Sequence, residues 1–312
     1  MKIVRYLPQS TDIPAYGALQ PDGSVTQIDG DIFGPHIATR RPASVDKLLA
    51  PIVPPAILCI GLNYRAHAVE TGAKIPEYPV LFMKSLGAMC NPGEPIVLPR
   101  VLGSTQVDYE GELVIVIGKR AKNVTRQEAV HHILGYTIGN DVSARDWQKD
   151  FGGGQFCRGK TFDTFAPMGP CITTVDEIPD PAALRIVTRL NGQVMQDTGV
   201  SDLIFDVPAL VSFLSGSTTL LPGTVIFTGT PSGVGAARKP PVFLKAGDTV
   251  DITVDGIGTL SNPVMEESAH REGDRDFVKQ FRGYVGEMAG GERRHGRGAV
   301  RRQRKAAVIG GW

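Results

Sequence analysis

Two glutamates one residue apart open the most informative stretch of the sequence, Asp108-Tyr109-Glu110-Gly111-Glu112, which runs directly into the apolar segment Leu113 to Ile117. Side chains two apart on a strand project to the same face, so Glu110 and Glu112 are expected to point together. Adjacent carboxylates repel unless a cation lies between them, and hard divalent ions such as Mg2+ and Ca2+ favour oxygen ligands. An exposed strand end with two solvated glutamates satisfies the same spacing. A third acid, Asp141, closes the segment that begins at Gly135. Three carboxylates would leave an octahedral ion about three positions for water or a chelating substrate. Arg145 and Gln148 come after Asp141 at helical spacing, so the three are expected along one face of a turn.

Two further groups could take part in such chemistry. Lys160, in Arg158-Gly159-Lys160-Thr161, is either a cation placed near the acids or a charge-balancing surface lysine. His67 and Glu70 stand at i,i+3, which stacks them on one face of a helix. A carboxylate beside an imidazole orients it and raises its basicity, the arrangement of a general base with its orienting partner; a purely structural pair has the same spacing. The triple glycine Gly152 to Gly154 matches neither phosphate-loop spacing, and is expected to let a loop pass close to a ligand.

These residues need strands to carry them. Short aliphatic and β-branched runs, among them Lys2 to Leu7, Ser24 to Ile28, Ile57 to Ile60, Leu113 to Ile117, Val225 to Phe227 and Val250 to Val254, are broken by glycine and proline. Helical periodicity is confined to Arg126 to Ile133, opened by a Thr125/Glu128 capping box, and Val207 to Leu214. The pattern predicts an α+β fold, mainly β. It divides into a small β-rich N-terminal domain (residues 1–50), a main body (51–270) and a Gly/Arg-rich tail (271–312). Residues 281–312 carry eight Arg or Lys against two Glu, a net charge of +6, and are expected to be a disordered, solvated extension rather than a nucleic-acid tether.

Composition narrows the class. The 312 residues carry a net charge of +1 and are 42% apolar, enough for a sizeable core. No apolar run is long enough to span a bilayer, and the start does not read as a secretory signal. Four separated cysteines without a CxxC pair argue against a disulfide framework and a zinc site. A cytoplasmic protein is expected, with a mitochondrial one as the alternative.

Five blocks together, GLNYRAHAVE (61–70), VDYEGELVIVIGKR (107–120), GYTIGNDVSARDWQ (135–148), RGKTFD (158–163) and FTGTPSGVG (227–235), resemble the fumarylacetoacetate hydrolase family. The resemblance implies a mixed β-sandwich roll behind a small N-terminal domain, and a homodimer. It implies Glu110, Glu112 and Asp141 as ligands of Mg2+ or Mn2+, and His67 and Glu70 as a catalytic dyad on a lid. It also implies Lys160 as stabiliser of a developing enolate or oxyanion, with Arg145, Gln148 and Thr230 near the substrate. The leading reading is metal-dependent hydrolysis of a C–C bond in acylpyruvate or β-diketo 2-oxo acids, favoured by the intact His67–Glu70 pair. The stretch from Thr230 to Lys245 is similar to a branch associated with oxaloacetate keto–enol tautomerisation. That reaction, oxaloacetate decarboxylation and 2-hydroxy-dienedioate isomerisation are the alternatives on the same metal site.

Overall fold

Every apolar run singled out in the sequence becomes a strand, and burial explains why some alternate and others do not. A computed structural model describes residues 1–268; the basic tail lies outside the described residues. Strand Gly111–Ile117 is buried at every position, because neighbouring structure covers both of its faces. Thr249–Val254, covered on one face, alternates buried and half-buried residues.

The larger sheet runs in the order His36–Pro42, Val25–Gly30, Ala15–Leu19, Lys2–Pro8, Ala166–Thr174, Ile133–Asn140, Gly111–Ile117, Val225–Phe227, Ile57–Gly61, Val80–Lys84. Val45–Leu49 pairs with Lys2–Pro8, and Met89–Cys90 with Ala166–Thr174. The second sheet has five strands, ordered Gln193–Gly199, Arg185–Leu190, Thr249–Val254, Gly258–Glu266, Ile96–Leu98. Most pairings are antiparallel, and the fold is α+β with strands dominant. The sheets meet closely at Gly111, where an added Cβ would lie 2.1 Å from Thr188 Oγ1 and 3.1 Å from Ile252 Cγ2. Only glycine fits at this position between the two glutamates.

Helix Val207–Ser215 forms where expected, with the Asp206 carboxylate accepting the Ala209 N–H at 2.9 Å and Pro208 in its first turn. The helix expected over Arg126 to Ile133 does not form. Thr125 and Glu128 do exchange hydrogen bonds as a capping box. Beyond the box the chain makes a single 3-10 turn, Ala129–His132, because Ile133 already begins the strand that pairs with Gly111–Ile117. Tertiary pairing overrides the local helix signal.

The triple glycine divides: a Cβ on Gly152 would fall 2.4 Å from the Trp147 carbonyl oxygen, whereas Gly153 and Gly154 adopt φ of +62° and +82° in a surface turn with open space where a side chain would stand. All four cysteines are unpaired. No helix among the described residues is long and apolar enough to cross a membrane.

Candidate active site

The three acids converge. Ligand oxygens of Glu110, Glu112 and Asp141 lie within 4.8 Å of one another, and all three residues are buried. Glu110 precedes strand Gly111–Ile117 and Glu112 lies within it, so the pleat brings both carboxylates to one face. Asp141 comes directly after the paired strand Ile133–Asn140, and its N–H binds the Glu110 carbonyl at 2.8 Å. They share a cavity of about 470 Å3 with His67, Glu70, Arg145, Gln148, Lys160 and Thr230.

Cations frame these acids unevenly. Lys160 Nζ lies 2.7 Å from Glu110 Oε2 and 2.6 Å from Asp141 Oδ2. Its short helix Cys157–Lys160 packs closely enough that a Cβ on Gly159 would stand 2.6 Å from the Gln148 nitrogen. Arg145 contacts Glu110 Oε1 at 2.7 Å, donates to Asp108 Oδ2 through Nε and Nη2 (2.9 and 2.8 Å) and to Gln148 Oε1 through Nη1 (3.0 Å). Four of its five hydrogens are thus engaged within the protein, and one on Nη1 remains. Lys84 Nζ donates to the carbonyls of Val142, Lys160 and Phe165 at 3.0, 2.7 and 2.7 Å, and forms an ion pair with Asp141 Oδ1 at 2.7 Å. Its three hydrogens are spent on carbonyls, which leaves Asp141 Oδ1 buried without a hydrogen bond.

The charge balance is unfinished. Four buried acids (Asp108, Glu110, Glu112, Asp141) face three buried bases (Lys84, Arg145, Lys160), while a fifth, Asp146, is taken up by Ser104 and Thr105. Among the described residues Glu112 has no cationic partner; its Oε2 accepts only the Gly229 N–H, at 2.7 Å. Burial, with Asp141 and Glu110 adding to it, pushes the Glu112 carboxyl well above the ordinary carboxylate range. Glu110 goes the other way: burial would raise it, but Arg145 and Lys160 together outweigh that and hold it low. Burial likewise opposes the Lys160 charge, yet Asp141 and Glu110 more than offset it and raise its pKa. Glu112, a carboxylate with no ion pair, stands with two others whose oxygens converge within 4.8 Å of its own, and this all-oxygen donor set fits a hard divalent cation.

His67 and Glu70 lie on helix Arg65–Thr71, as their spacing predicts. His67 Nδ1 is 2.9 Å from Glu70 Oε2, and Glu70 Oε1 accepts the Gly233 N–H at 2.8 Å. An ionised carboxylate only accepts, so the imidazole hydrogen sits on Nδ1 and leaves Nε2 with a free lone pair. Arg145 and Gln148 reach the cavity, but not on one helical turn with Asp141. The short strand Ser143–Ala144 pairs with Val107–Asp108 and puts extended backbone between them. Thr230 Oγ1 donates to the Gly111 carbonyl at 3.1 Å. Asp108, Asn140, Lys84 and Gln196, which hold these groups in place, carry no role in the sequence reading.

Fold and site define a mainly β protein with a buried acidic, cation-ready centre beside a histidine–glutamate pair. The family described as fumarylacetoacetate (FAA) hydrolase C-terminal matches residues 56–265, and the one described as Rv2993c-like, N-terminal matches residues 1–51. The chain belongs to the fumarylacetoacetate hydrolase family, a family of enzymes. It is similar to a mitochondrial oxaloacetate tautomerase of Xenopus laevis, 47% identical over 231 residues that cover 74% of this chain and 71% of the relative. It is also similar to an oxaloacetate tautomerase of Bacillus subtilis, 48% identical over 222 residues, 70% of this chain and 73% of the relative. The crystal structure of 5-carboxymethyl-2-hydroxymuconate delta-isomerase from Mycobacterium smegmatis superposes with a TM-score of 0.74 at 42% identity, covering 86% of this chain and all of that one.

Proposed function

We propose that this enzyme catalyses the keto–enol tautomerisation of a small 2-oxo acid, oxaloacetate foremost, with a divalent cation held by Glu110, Glu112 and Asp141. The observation that carries the reading is the His67–Glu70 pair, fastened to Gly233, in the same cavity as the three converging acids. Relatives approaching half identity that are named oxaloacetate tautomerases support the choice of substrate. Mg2+ or Mn2+ bound there would supply Lewis acidity toward the carboxylate and 2-oxo oxygens of such an acid.

The rest of the reaction belongs to the protein. His67 Nε2 takes a proton from C3, and the C–H electron pair becomes the C2–C3 double bond. The C2=O π pair moves onto the 2-oxo oxygen, which takes a proton from water as His67 gives its own back to solvent; reversal gives ketonisation. Glu70 holds the imidazole in the tautomer this needs and steadies its charge once protonated. Lys160, whose third hydrogen is not used by Glu110 or Asp141, faces the charge that develops on oxygen. Arg145 fixes Glu110 and Gln148 and has one Nη1 hydrogen left to offer a bound acid from the cavity wall.

A second reading is C–C hydrolysis of acylpyruvates, in which His67 would activate water; the cavity of about 470 Å3 leaves room beyond a four-carbon acid. Assay decides between them. The tautomerase reading expects the absorbance of enol-oxaloacetate to decay faster with enzyme and Mg2+ while acetylpyruvate persists. The reverse pattern establishes hydrolysis, and inactivity on both removes the two readings together.

The proposal includes a homodimer, supported by the apolar residues Val80, Leu81 and Met83 left exposed on the edge strand Val80–Lys84. It also includes a reducing compartment, cytosol or mitochondrial matrix, supported by the four unpaired cysteines.

A further inference from the structure

Gln196 touches neither the cavity nor any of the three acids, yet both flanks of the acid cluster are tied to it. It lies on strand Gln193–Gly199, at the edge of the five-stranded sheet, and only 1% of it is exposed. Its Oε1 accepts the Gly111 N–H at 3.0 Å, while Nε2 donates to the Pro231 carbonyl at 2.8 Å and to Thr230 Oγ1 at 2.7 Å. A backbone N–H can only donate and a carbonyl can only accept, so the amide has one possible orientation.

That orientation fixes a second proton. Because Gln196 donates to Thr230 Oγ1, the Thr230 hydrogen goes to its other neighbour, the Gly111 carbonyl at 3.1 Å. The Thr230 hydroxyl thus has no hydrogen left for a bound molecule and meets one through a lone pair. The two peptides that flank Gly111, and so link Glu110 to Glu112, are held by Gln196 at one N–H and by Thr230 at one carbonyl. Asn140 Oδ1 holds the neighbouring Glu110 N–H at 2.9 Å.

The same stretch of strand also braces the lid. Gly233 lies so close that a Cβ there would fall 2.0 Å from the Met195 carbonyl oxygen, and Arg238 Nη2 donates to that oxygen at 2.6 Å. Gly233 is the residue whose N–H holds Glu70. Met195 and Gln196 therefore support both the acid-bearing strand and the loop on which the His67–Glu70 pair is seated.

We propose that Gln196 is a positioning residue: it sets the Glu110–Glu112 segment against the Thr230–Gly233 loop, keeps the cation site in register with His67, and makes Thr230 an acceptor toward the bound acid. This rests on the reading of the cavity as a cation and 2-oxo acid site. Partners in the outer shell of a metal site typically change metal affinity or activity by about 10–100-fold when removed.

The test uses Gln196→Met, which keeps length and shape without polar atoms, Thr230→Val, and the two combined in the full chain. Calorimetry should show the Mg2+ dissociation constant of Gln196→Met weakened by roughly 10-fold or more. Its kcat on enol-oxaloacetate should fall by a larger factor than its KM changes. Placed in the Thr230→Val background, Gln196→Met should still weaken Mg2+ binding through its lost bonds to Gly111 and Pro231, but by a smaller factor than in the parent, since the bond to Thr230 is already gone. Parental Mg2+ affinity and kcat in Gln196→Met overturn the proposal alone, as do effects that multiply in the double variant. A parent protein that takes up no Mg2+, or acts on no 2-oxo acid, overturns the functional reading and this proposal with it. Should Gln196→Met fail to fold, Thr230→Val alone cuts the link from its other end; unchanged Mg2+ affinity there is equally fatal.

Discussion

A buried carboxyl without a counter-charge and an imidazole hydrogen-bonded to a carboxylate are the two features on which the proposed activity rests. His67 gives the sharper prediction. Its one recorded side-chain hydrogen bond is to Glu70 and not to any of the three acids, so His67→Ala should leave Mg2+ affinity little changed while lowering the tautomerisation rate by about 10²–10⁴-fold, the usual cost of a positioned general base. Parallel calorimetry and stopped-flow absorbance check both halves, and a variant with the parental rate removes the assignment. Glu112 gives a pH dependence with a definite sign. Its carboxyl in the folded protein sits above the ordinary 4.5, chiefly through burial and then through Asp141 and Glu110. The stability it contributes without metal is therefore fully present below that ordinary value and is lost as pH climbs through the raised one. A divalent cation competes with that proton. The gain in melting temperature on adding Mg2+ should consequently grow as pH rises from the ordinary carboxylate value through the raised one, and Glu112→Gln should flatten the trend. An equal gain at both ends would show that Glu112 carries no such proton.

The seven-residue helix Arg65–Thr71 is too short to persist alone and is held in place by its neighbours. The Asp202 carboxylate accepts the Ala66 N–H at 3.0 Å, Arg65 Nη1 donates to the Asp202 carbonyl at 3.2 Å, and Tyr64 bridges to Leu203. Asp202→Ala removes a cap of the kind worth about 0.5–2 kcal/mol, so KM for oxaloacetate should rise by roughly 2- to 30-fold with a smaller change in kcat. Steady-state kinetics with limited proteolysis near residue 70 test this; an unchanged KM means that the placement of His67 does not depend on the cap. Strands were readable in the sequence because burial writes itself into local composition, as in Leu113 to Ile117. The His67–Glu70 pair and the acids at 110 and 112 were readable because their partners lie within one turn or one pleat. Asp108, Asn140, Lys84 and Gln196 were not, since the groups they hold lie 37, 30, 58 and 85 residues away. The helix expected over Arg126 to Ile133 failed for a related reason: its capping box is genuine, but the strand pairing that cuts it short is long-range.

At the scale of the molecule, the first fifty residues are strands of the same sheet that carries the acids. Lys2–Pro8 lies between Ala15–Leu19 and Ala166–Thr174, with Lys2 opposite Thr173 and Ile3 opposite Ile172. Ala166–Thr174 is buried at eight of its nine positions and pairs on its other side with Ile133–Asn140, the strand that leads into Asp141. Deleting residues 1–50 would uncover this edge and strip away the buried side chains Ile3, Val4 and Tyr6. Each such side chain contributes about 1.5–3 kcal/mol, so these three alone amount to roughly 4–9 kcal/mol. A domain's whole stability is about 5–15 kcal/mol, so the loss is comparable to everything the fold has in reserve. An unpaired apolar edge also invites association with other chains. The truncated chain is therefore expected to lack a cooperative melting transition, to aggregate, and to take up no Mg2+, even though every candidate ligand and both members of the dyad remain in it. Scanning calorimetry beside light scattering checks this. A single cooperative melt within about 5 °C of the parent, a shift worth only about 1–2 kcal/mol at this size, would show that the first fifty residues are an accessory and that the acids' sheet stands without them.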